Sequence, residues 1–396
     1  MSEKSQKKSV WMSGFCSDFV RIFGKVYFVS LMAKDSNVLK PEVLIMTLCI
    51  SHQTAFNFWR MPGNHPHKFQ KAPCNIVESF RTTKSLLAKI LASEFFGADS
   101  FDTSQGTIHF LVHEKNERRF CSGTKVHTIS MFDITTDYYW ITDGVVVPSP
   151  ETVFVQMASS GDFTATLNVG CELCSSFALA KQPKNNVVDK DLIENSNNSS
   201  NELLANMNNS YAKLVQIQPV TNAQLIVEYC NSVKNLRGIQ NARRVAEILP
   251  KGNAASPMEI KLFQILCSPR NKGGFGISVP QFNYGVLLGN KASNIYRHKK
   301  CICDLCWPEF KIDLEYDSDL VHAFAKKIHS DANRRLALEE DGYRVITVTK
   351  NHVYDKLFME RIAKKIMSYQ GKNLRIRRDG FVEAQDSLFR DLGLRA

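Results

Sequence analysis

Residues 300–317 read KCICDLCWPEFKIDLEYD. In the second half Ile312, Leu314 and Tyr316 alternate with Asp313, Glu315 and Asp317. A period of two places three apolar side chains on one face of a strand and three carboxylates on the other. The first half, Lys300–Cys306, carries Asp304. Between the halves, Trp307-Pro308-Glu309-Phe310 sets proline where its fixed φ suits the second position of a type I or II turn. A hairpin with an even-residue loop then pairs Asp304 with Asp313 or with Glu315, and either register gathers acids on one side. Such a cluster repels itself unless a cation neutralises it, and a hard divalent ion such as Mg²⁺ does that well. The competing reading is a solvated strand face of ordinary acids.

The flanking sequence supplies the context. Upstream, Ser256–Leu266 predicts a helix, with Ser256 as N-cap, Pro257 at the first helical position and Glu259 in a capping-box position. Downstream come a helix around Ser330–Glu340 ending at Gly342, a strand at Tyr343–Thr349 and a charged helix from about His352. The predicted order is helix, strands, helix, strand.

That order, with Asp304, Trp307-Pro308, Leu314-Glu315-Tyr316-Asp317, His322, Asp331, Arg334 and Gly342-Tyr343-Arg344-Val345, resembles an uncharacterised family of PD-(D/E)xK nuclease domains related to very-short-patch-repair endonucleases. The resemblance covers roughly the last third of the chain. It implies a restriction-endonuclease-like core in which Asp304 and Glu315 hold Mg²⁺ (or Mn²⁺). Glu259 then supplies a further carboxylate from the preceding helix, a role that can coexist with capping. Asp317 and His322 orient water or leaving group, and Arg334 and Arg335 neutralise phosphate, with Arg297, Lys299 and Lys300 as further contacts to nucleic acid. One position departs from the pattern: a (D/E)xK motif places lysine two residues after Glu315, and this chain has Asp317 there. His322 is the obvious substitute for proton handling, since imidazole titrates near neutrality.

The remaining sequence bounds the class. The chain has 396 residues, 44% hydrophobic and 22% charged, the composition of a globular protein of two or three domains. A formal charge of +11 makes polyanions, DNA above all, the natural partners. No apolar run approaches a membrane span, so no membrane partner is expected. Met1–Lys8 is basic, but Asp18, Arg21 and Lys25 interrupt the stretch after it, so a signal peptide is not expected. Eleven cysteines without a disulfide-scaffold spacing point to a reduced, cytoplasmic chain. Cys171-Glu172-Leu173-Cys174 and Cys303-Asp304-Leu305-Cys306 are both CxxC pairs, but strand alternation sends Cys303 and Cys306 to opposite faces, which argues against a shared zinc.

Four segments are expected. Residues 1–40 are uninformative, although Phe15–Met32 suits a helix or a strand pair. Residues 41–183 form a mixed α/β domain: Ser51 caps a helix through Trp59, strands follow at 108–114, 125–132, 137–142 and 144–147, and a helix opens after Val147-Pro148-Ser149-Pro150. His52, His65 and His67 read as polar loop residues. This half is distantly similar to abortive-infection antitoxin regulators. Residues 184–213, rich in Asn and Ser, form a linker or surface insertion. Residues 214–396 comprise a helical lead-in, Val215–Val245 broken at Arg237-Gly238, then the nuclease-like domain and a basic tail (Lys364, Lys365, Lys372, Arg375, Arg377, Arg378). The fold class is therefore mixed α/β (α+β). Two functions are compatible with this: a Mg²⁺-dependent DNA endonuclease, in repair or phage defence, or a non-catalytic DNA-binding regulator that keeps a degenerate nuclease scaffold.

Overall fold

The computed structural model describes residues 18–22, 25–29, 46–82, 107–113, 123–129, 136–181, 212–317, 325–376 and 379–394. Its strands, in chain order, are β1 (Asp18–Ile22), β2 (Lys25–Val29), β3 (Leu48–Ile50), β4 (Ile108–Val112), β5 (Thr124–Thr128), β6 (Tyr138–Thr142), β7 (Val145–Pro148), β8 (Phe177–Lys181), β9 (Ala212–Gln216), β10 (Gln281–Leu287), β11 (Lys300–Trp307), β12 (Ile312–Asp317) and β13 (Arg344–Thr349). The helices are α1 (His52–Trp59), α2 (Pro150–Met157), α3 (Phe163–Leu173), α4 (Ala223–Ser232), α5 (Ile239–Ala246), α6 (Pro257–Cys267), α7 (Asn290–Tyr296), α8 (Ala325–Glu340), α9 (Lys350–Tyr354), α10 (Lys356–Tyr369) and α11 (Phe381–Asp391). The chain is thus mixed α/β, and among the described residues no helix is long and apolar enough to cross a membrane.

The N-terminal part is built on a five-stranded mixed sheet, ordered β5-β4-β3-β7-β6, with α1 and α2 beside it. Ser149 caps α2, its Oγ accepting from the Thr152 amide, and Pro150 occupies the first helical position, where its missing N–H costs nothing. Strands β1 and β2 pair antiparallel, the strand-pair alternative for Phe15–Met32.

The C-terminal part is built on a second mixed sheet, ordered β10-β11-β12-β13. Helix α6 precedes it and begins as the sequence predicts: Ser256 Oγ accepts from the Glu259 amide. The β11–β12 hairpin turns through Pro308–Lys311, and Trp307 pairs with Ile312, Cys306 with Asp313 and Leu305 with Leu314. Four residues lie between Trp307 and Ile312, the even loop expected. Strand β13 lies parallel to β12, and α8 makes the crossover that a parallel pair needs. Ile312 and Leu314 enter the main core together with Leu305 and Trp307. That core runs from α1–α3 through α6 to α10 and α11, so residues on both sides of the Asn/Ser-rich segment bury one another.

Two sequence expectations need correction. The lead-in helix does not begin at Val215: Ala212–Gln216 is strand, and α4 starts at Ala223, capped by Asn222. Pro219 explains this, since it lacks an amide and disfavours helix at the residue before it. Gly238, at φ 92°, does separate α4 from α5. The second correction concerns β11: Cys301, Cys303 and Cys306 lie in one buried cluster with Val286 and Leu338, while Leu305 and Trp307 face the main core. Strict alternation fails between Cys303 and Leu305. Asn283 on β10 stands opposite this point with φ 46°, between the regular pairs Phe282–Leu305 and Tyr284–Cys303. That left-handed residue twists the ladder locally and changes which way the side chains point.

Strands β8 and β9 pair from Phe177–Gln216 to Lys181–Ala212, so the Asn/Ser-rich segment leaves and re-enters on neighbouring strands. The segment itself (182–211) lies outside the described residues. Limited proteolysis should cut first between Lys184 and Asn209, and the two fragments should co-elute on gel filtration because they share a core; separation of the fragments would contradict this packing. Trp307 is fully buried and its Nε1 donates to Ser278 O at 2.6 Å. Trp307→Ala should therefore lower the unfolding free energy by about 3–5 kcal/mol in urea titrations.

Candidate functional site

The acids meet where β11 and β12 part. Regular pairing stops at Leu305–Leu314, and continuing the register sets Asp304 directly across from Glu315. In place of a ladder partner, the Tyr316 amide donates to Asp304 Oδ2 at 2.9 Å. The side chain of Asp304 thus fills the gap that the diverging backbones leave. Of the two registers the sequence allows, this is the Glu315 pairing.

Glu259 closes the site from α6. Its Oε2 accepts from the Ala255 amide (2.8 Å) and from Asn283 Nδ2 (2.9 Å), and its Oε1 accepts from Ser256 Oγ (2.8 Å). Both carboxylate oxygens are committed to the helix start and to the left-handed residue of β10. Burial raises the Glu259 pKa, those hydrogen bonds oppose the rise, and the charge of Glu315 adds to it.

Asp304 is shifted well above the ordinary aspartate range. Burial first, then the negative charges of Glu315 and Glu259, push its carboxyl up to about 7. Asp313, on β12, is fully buried, and as a carboxylate neither of its oxygens has a partner. Its neighbour Glu315 is itself an acceptor, so Asp313 can bond it only when protonated. Burial and that neighbour both raise its pKa, which favours the protonated form. The sequence places Asp313 on the acidic face but gives no sign of its complete burial.

One cation answers this charge among the described residues. Arg334, from α8, pairs through Nη2 with Glu315 Oε2 and donates from Nη1 to Ile302 O at 2.8 Å. Burial alone would lower the Arg334 pKa, but the charge of Glu315 and its hydrogen bond raise it. Arg334 is therefore turned inward to the protein's own carboxylate, not outward to phosphate. Arg335 pairs with Glu339 one turn on and remains exposed. Arg297, at φ 62° after α7, is exposed, as are Lys299 and Lys300. They stand at the start of β11, with Lys300 about 13 Å along the strand from Asp304 at some 3.3 Å per residue. Asp317 sits at the exposed end of β12, and His322 lies outside the described residues.

The donor set suits a hard cation. Asp304 offers Oδ1, which no described hydrogen bond occupies, and Glu315 Oε1 is buried without a donor unless Asp313 is protonated and turned toward it. Oxygen donors of this charge match Mg²⁺ or Mn²⁺. The two CxxC pairs do not come together: Cys171 and Cys174 lie in the main core, and Cys303 and Cys306 in the separate cluster on the acidic side of β11, where Cys303 Sγ lies within 4.8 Å of carboxylate oxygens of Asp313 and Glu315.

The raised Asp304 pKa has a stability signature. Between the ordinary aspartate value and about 7 the folded chain holds a proton that the unfolded chain has lost, so stability is greatest at low pH within that window and falls as pH rises through it. In EDTA the melting temperature should fall from pH 5 to pH 8. Asp304→Asn should flatten part of that fall and raise the melting temperature at pH 8, and Mg²⁺ should do the same for the unaltered chain. An Asp304→Asn melting profile that tracks the unaltered one at every pH would contradict this electrostatic picture.

Comparison of the chain with protein-family models, with curated proteins and with solved structures finds no match.

Proposed function

We propose that this chain is a Mg²⁺-dependent DNA endonuclease with a C-terminal core of the restriction-endonuclease type. The observation that supports it best is the placing of Asp304 opposite Glu315 where β11 and β12 separate, with Glu259 held behind them. The order α6-β10-α7-β11-β12-α8-β13 agrees with that reading. Asp304 and Glu315 would hold the ion, which when bound lowers the pKa of its water and stabilises charge on the phosphate. Tyr316 fixes Asp304 through its amide, and Asn283 with the start of α6 fixes Glu259, so two acids are oriented before any ligand arrives. The exposed Arg297, Lys299, Lys300 and Arg335 would bind phosphates by charge. No lysine follows Glu315, so proton handling falls to Asp317 and His322.

A second reading rests on the Arg334–Glu315 pair. With Glu315 answered by Arg334 and burial raising the pKa of Asp313, less of the site's charge is left for an ion to answer. That is the arrangement expected of a DNA-binding regulator that retains a nuclease scaffold without cutting.

Supercoiled plasmid and short duplexes incubated with Mg²⁺, Mn²⁺ or EDTA separate the two. The endonuclease reading expects metal-dependent nicking that Asp304→Asn abolishes, with DNA binding retained because the exposed basic residues are unchanged. His322→Ala should reduce cutting by about 10²–10⁴-fold, the contribution of an acid–base group. If the unaltered chain and Asp304→Asn bind DNA alike and neither cuts with any divalent metal, the regulator reading stands.

A further inference from the structure

A second group of ligating side chains lies in the N-terminal part, on the other sheet. His52 opens α1, His109 lies on β4 and His127 on β5. The sequence presents His52 as a polar loop residue, and the three histidines are too scattered along the chain to show a ligand spacing. The fold assembles them. Parallel pairing of β4 and β5 sets Leu111 beside His127, so His109 and His127 share a face. The Ser51 amide donates to His109 O at 2.9 Å, and the His109 amide donates to Thr54 Oγ1 at 2.8 Å, which fastens the start of α1 to β4.

The ring nitrogens converge. His127 Nε2 and His109 Nδ1 are 3.0 Å apart, and one nitrogen from each of the three rings lies within 4.8 Å of the others. His52 Nδ1 is 3.1 Å from Ser51 Oγ, which leaves Nε2 as its ligating nitrogen. His52 also holds a left-handed backbone, φ 47°, with its amide anchored to Gln156 Oε1 at 2.9 Å. A positive φ is uncommon for a residue other than glycine. The rings form one wall of a cavity of about 620 Å³, which Lys125 and Arg237 also line, and no described carboxylate lines it.

We propose that His52, His109 and His127 bind a zinc-type transition-metal ion whose remaining position faces this cavity. The chemistry of the donors selects the ion. Three neutral imidazoles without a carboxylate suit Zn²⁺, Co²⁺, Ni²⁺ or Cu²⁺ and not Mg²⁺ or Ca²⁺. Lys125 and Arg237 oppose a bare dication but favour an anion, hydroxide or phosphate, as its fourth ligand. Three histidines and an open position make the donor set of a reactive zinc centre, not of a closed structural one.

The ring positions define what loading must change. With Zn–N near 2.1 Å and tetrahedral angles, ring centres sharing one ion lie about 5 Å apart. His109–His127 at 5.1 Å and His52–His109 at 5.8 Å are near that value. His52 and His127 are stacked at 3.6 Å, so their rings must part by more than 1 Å when the ion enters.

The test uses the full chain stripped with EDTA and titrated with Zn²⁺ alone, and with Co²⁺ as a spectroscopic probe. One equivalent should bind, Co²⁺ should give the intense visible absorption of a four-coordinate site, and X-ray absorption at the zinc edge should show nitrogen and oxygen ligands without sulfur. His109→Ala and His127→Ala should each weaken binding by at least about 100-fold, beyond the usual effect of a group that only orients a ligand. Cys303→Ser should leave it unchanged, which separates this site from the Cys303, Asp313 and Glu315 group on β11 and β12. Should either alanine variant fail to fold, His127→Gln and His52→Gln carry the same expectation. Absence of binding, sulfur in the zinc shell, or full affinity in the histidine variants would overturn the proposal.

Discussion

Acidic side chains crowded into a space that water barely reaches constrain the C-terminal half more than any other feature. Glu259, Asp304, Asp313 and Glu315 come from three elements, and Arg334 answers only one of them directly. Each unanswered charge has to be moved to a hydrogen-bond donor, neutralised by a proton or shared with an ion. The structure uses the first solution for Glu259, with three donors, and for one oxygen of Asp304. Burial and the charge of Glu315 raise the Asp313 pKa and so favour the second there. What is left, on Asp304 and Glu315, is the capacity to hold an ion, and the functional proposal rests on that remainder.

The same constraint accounts for local irregularities that otherwise look unconnected. Asn283 adopts a left-handed backbone and gives its side-chain amide to Glu259. The twist there turns Cys303 away from the main core and lets Asp304 into the gap between β11 and β12. An ideal ladder at this point would pair backbones and leave no room for a carboxylate. Regularity has been given up where the acids sit and kept on both sides of them.

Much of this was legible in residues 300–317. The period of two in Ile312–Asp317 and the proline turn were enough to predict the hairpin and its even loop, because both are local. The choice between Asp313 and Glu315 as partner of Asp304 was not, since it depends on where the ladder ends. Nor could alternation reveal the cysteine cluster, because the phase change comes from Asn283, some twenty residues upstream on another strand. The inward turn of Arg334 was hidden for a similar reason: a basic residue on an exposed-looking helix reads as a phosphate contact until its partner is in view. The histidine cluster was wholly illegible, since His52, His109 and His127 are neighbours only through the sheet.

The antiparallel seam between β8 and β9 carries a consequence for how this chain tolerates change. Paired residues in such a seam lie only about 5 Å apart, so whatever chain joins Lys181 to Ala212 has both ends already fixed side by side. Closing a flexible loop between fixed neighbours costs an entropy that grows only with the logarithm of its length, about 0.6 kcal/mol for each doubling. Length at this point is therefore nearly neutral to folding. A whole foreign domain whose own termini are close together could be spliced in here, and the shared core on either side would register little of it.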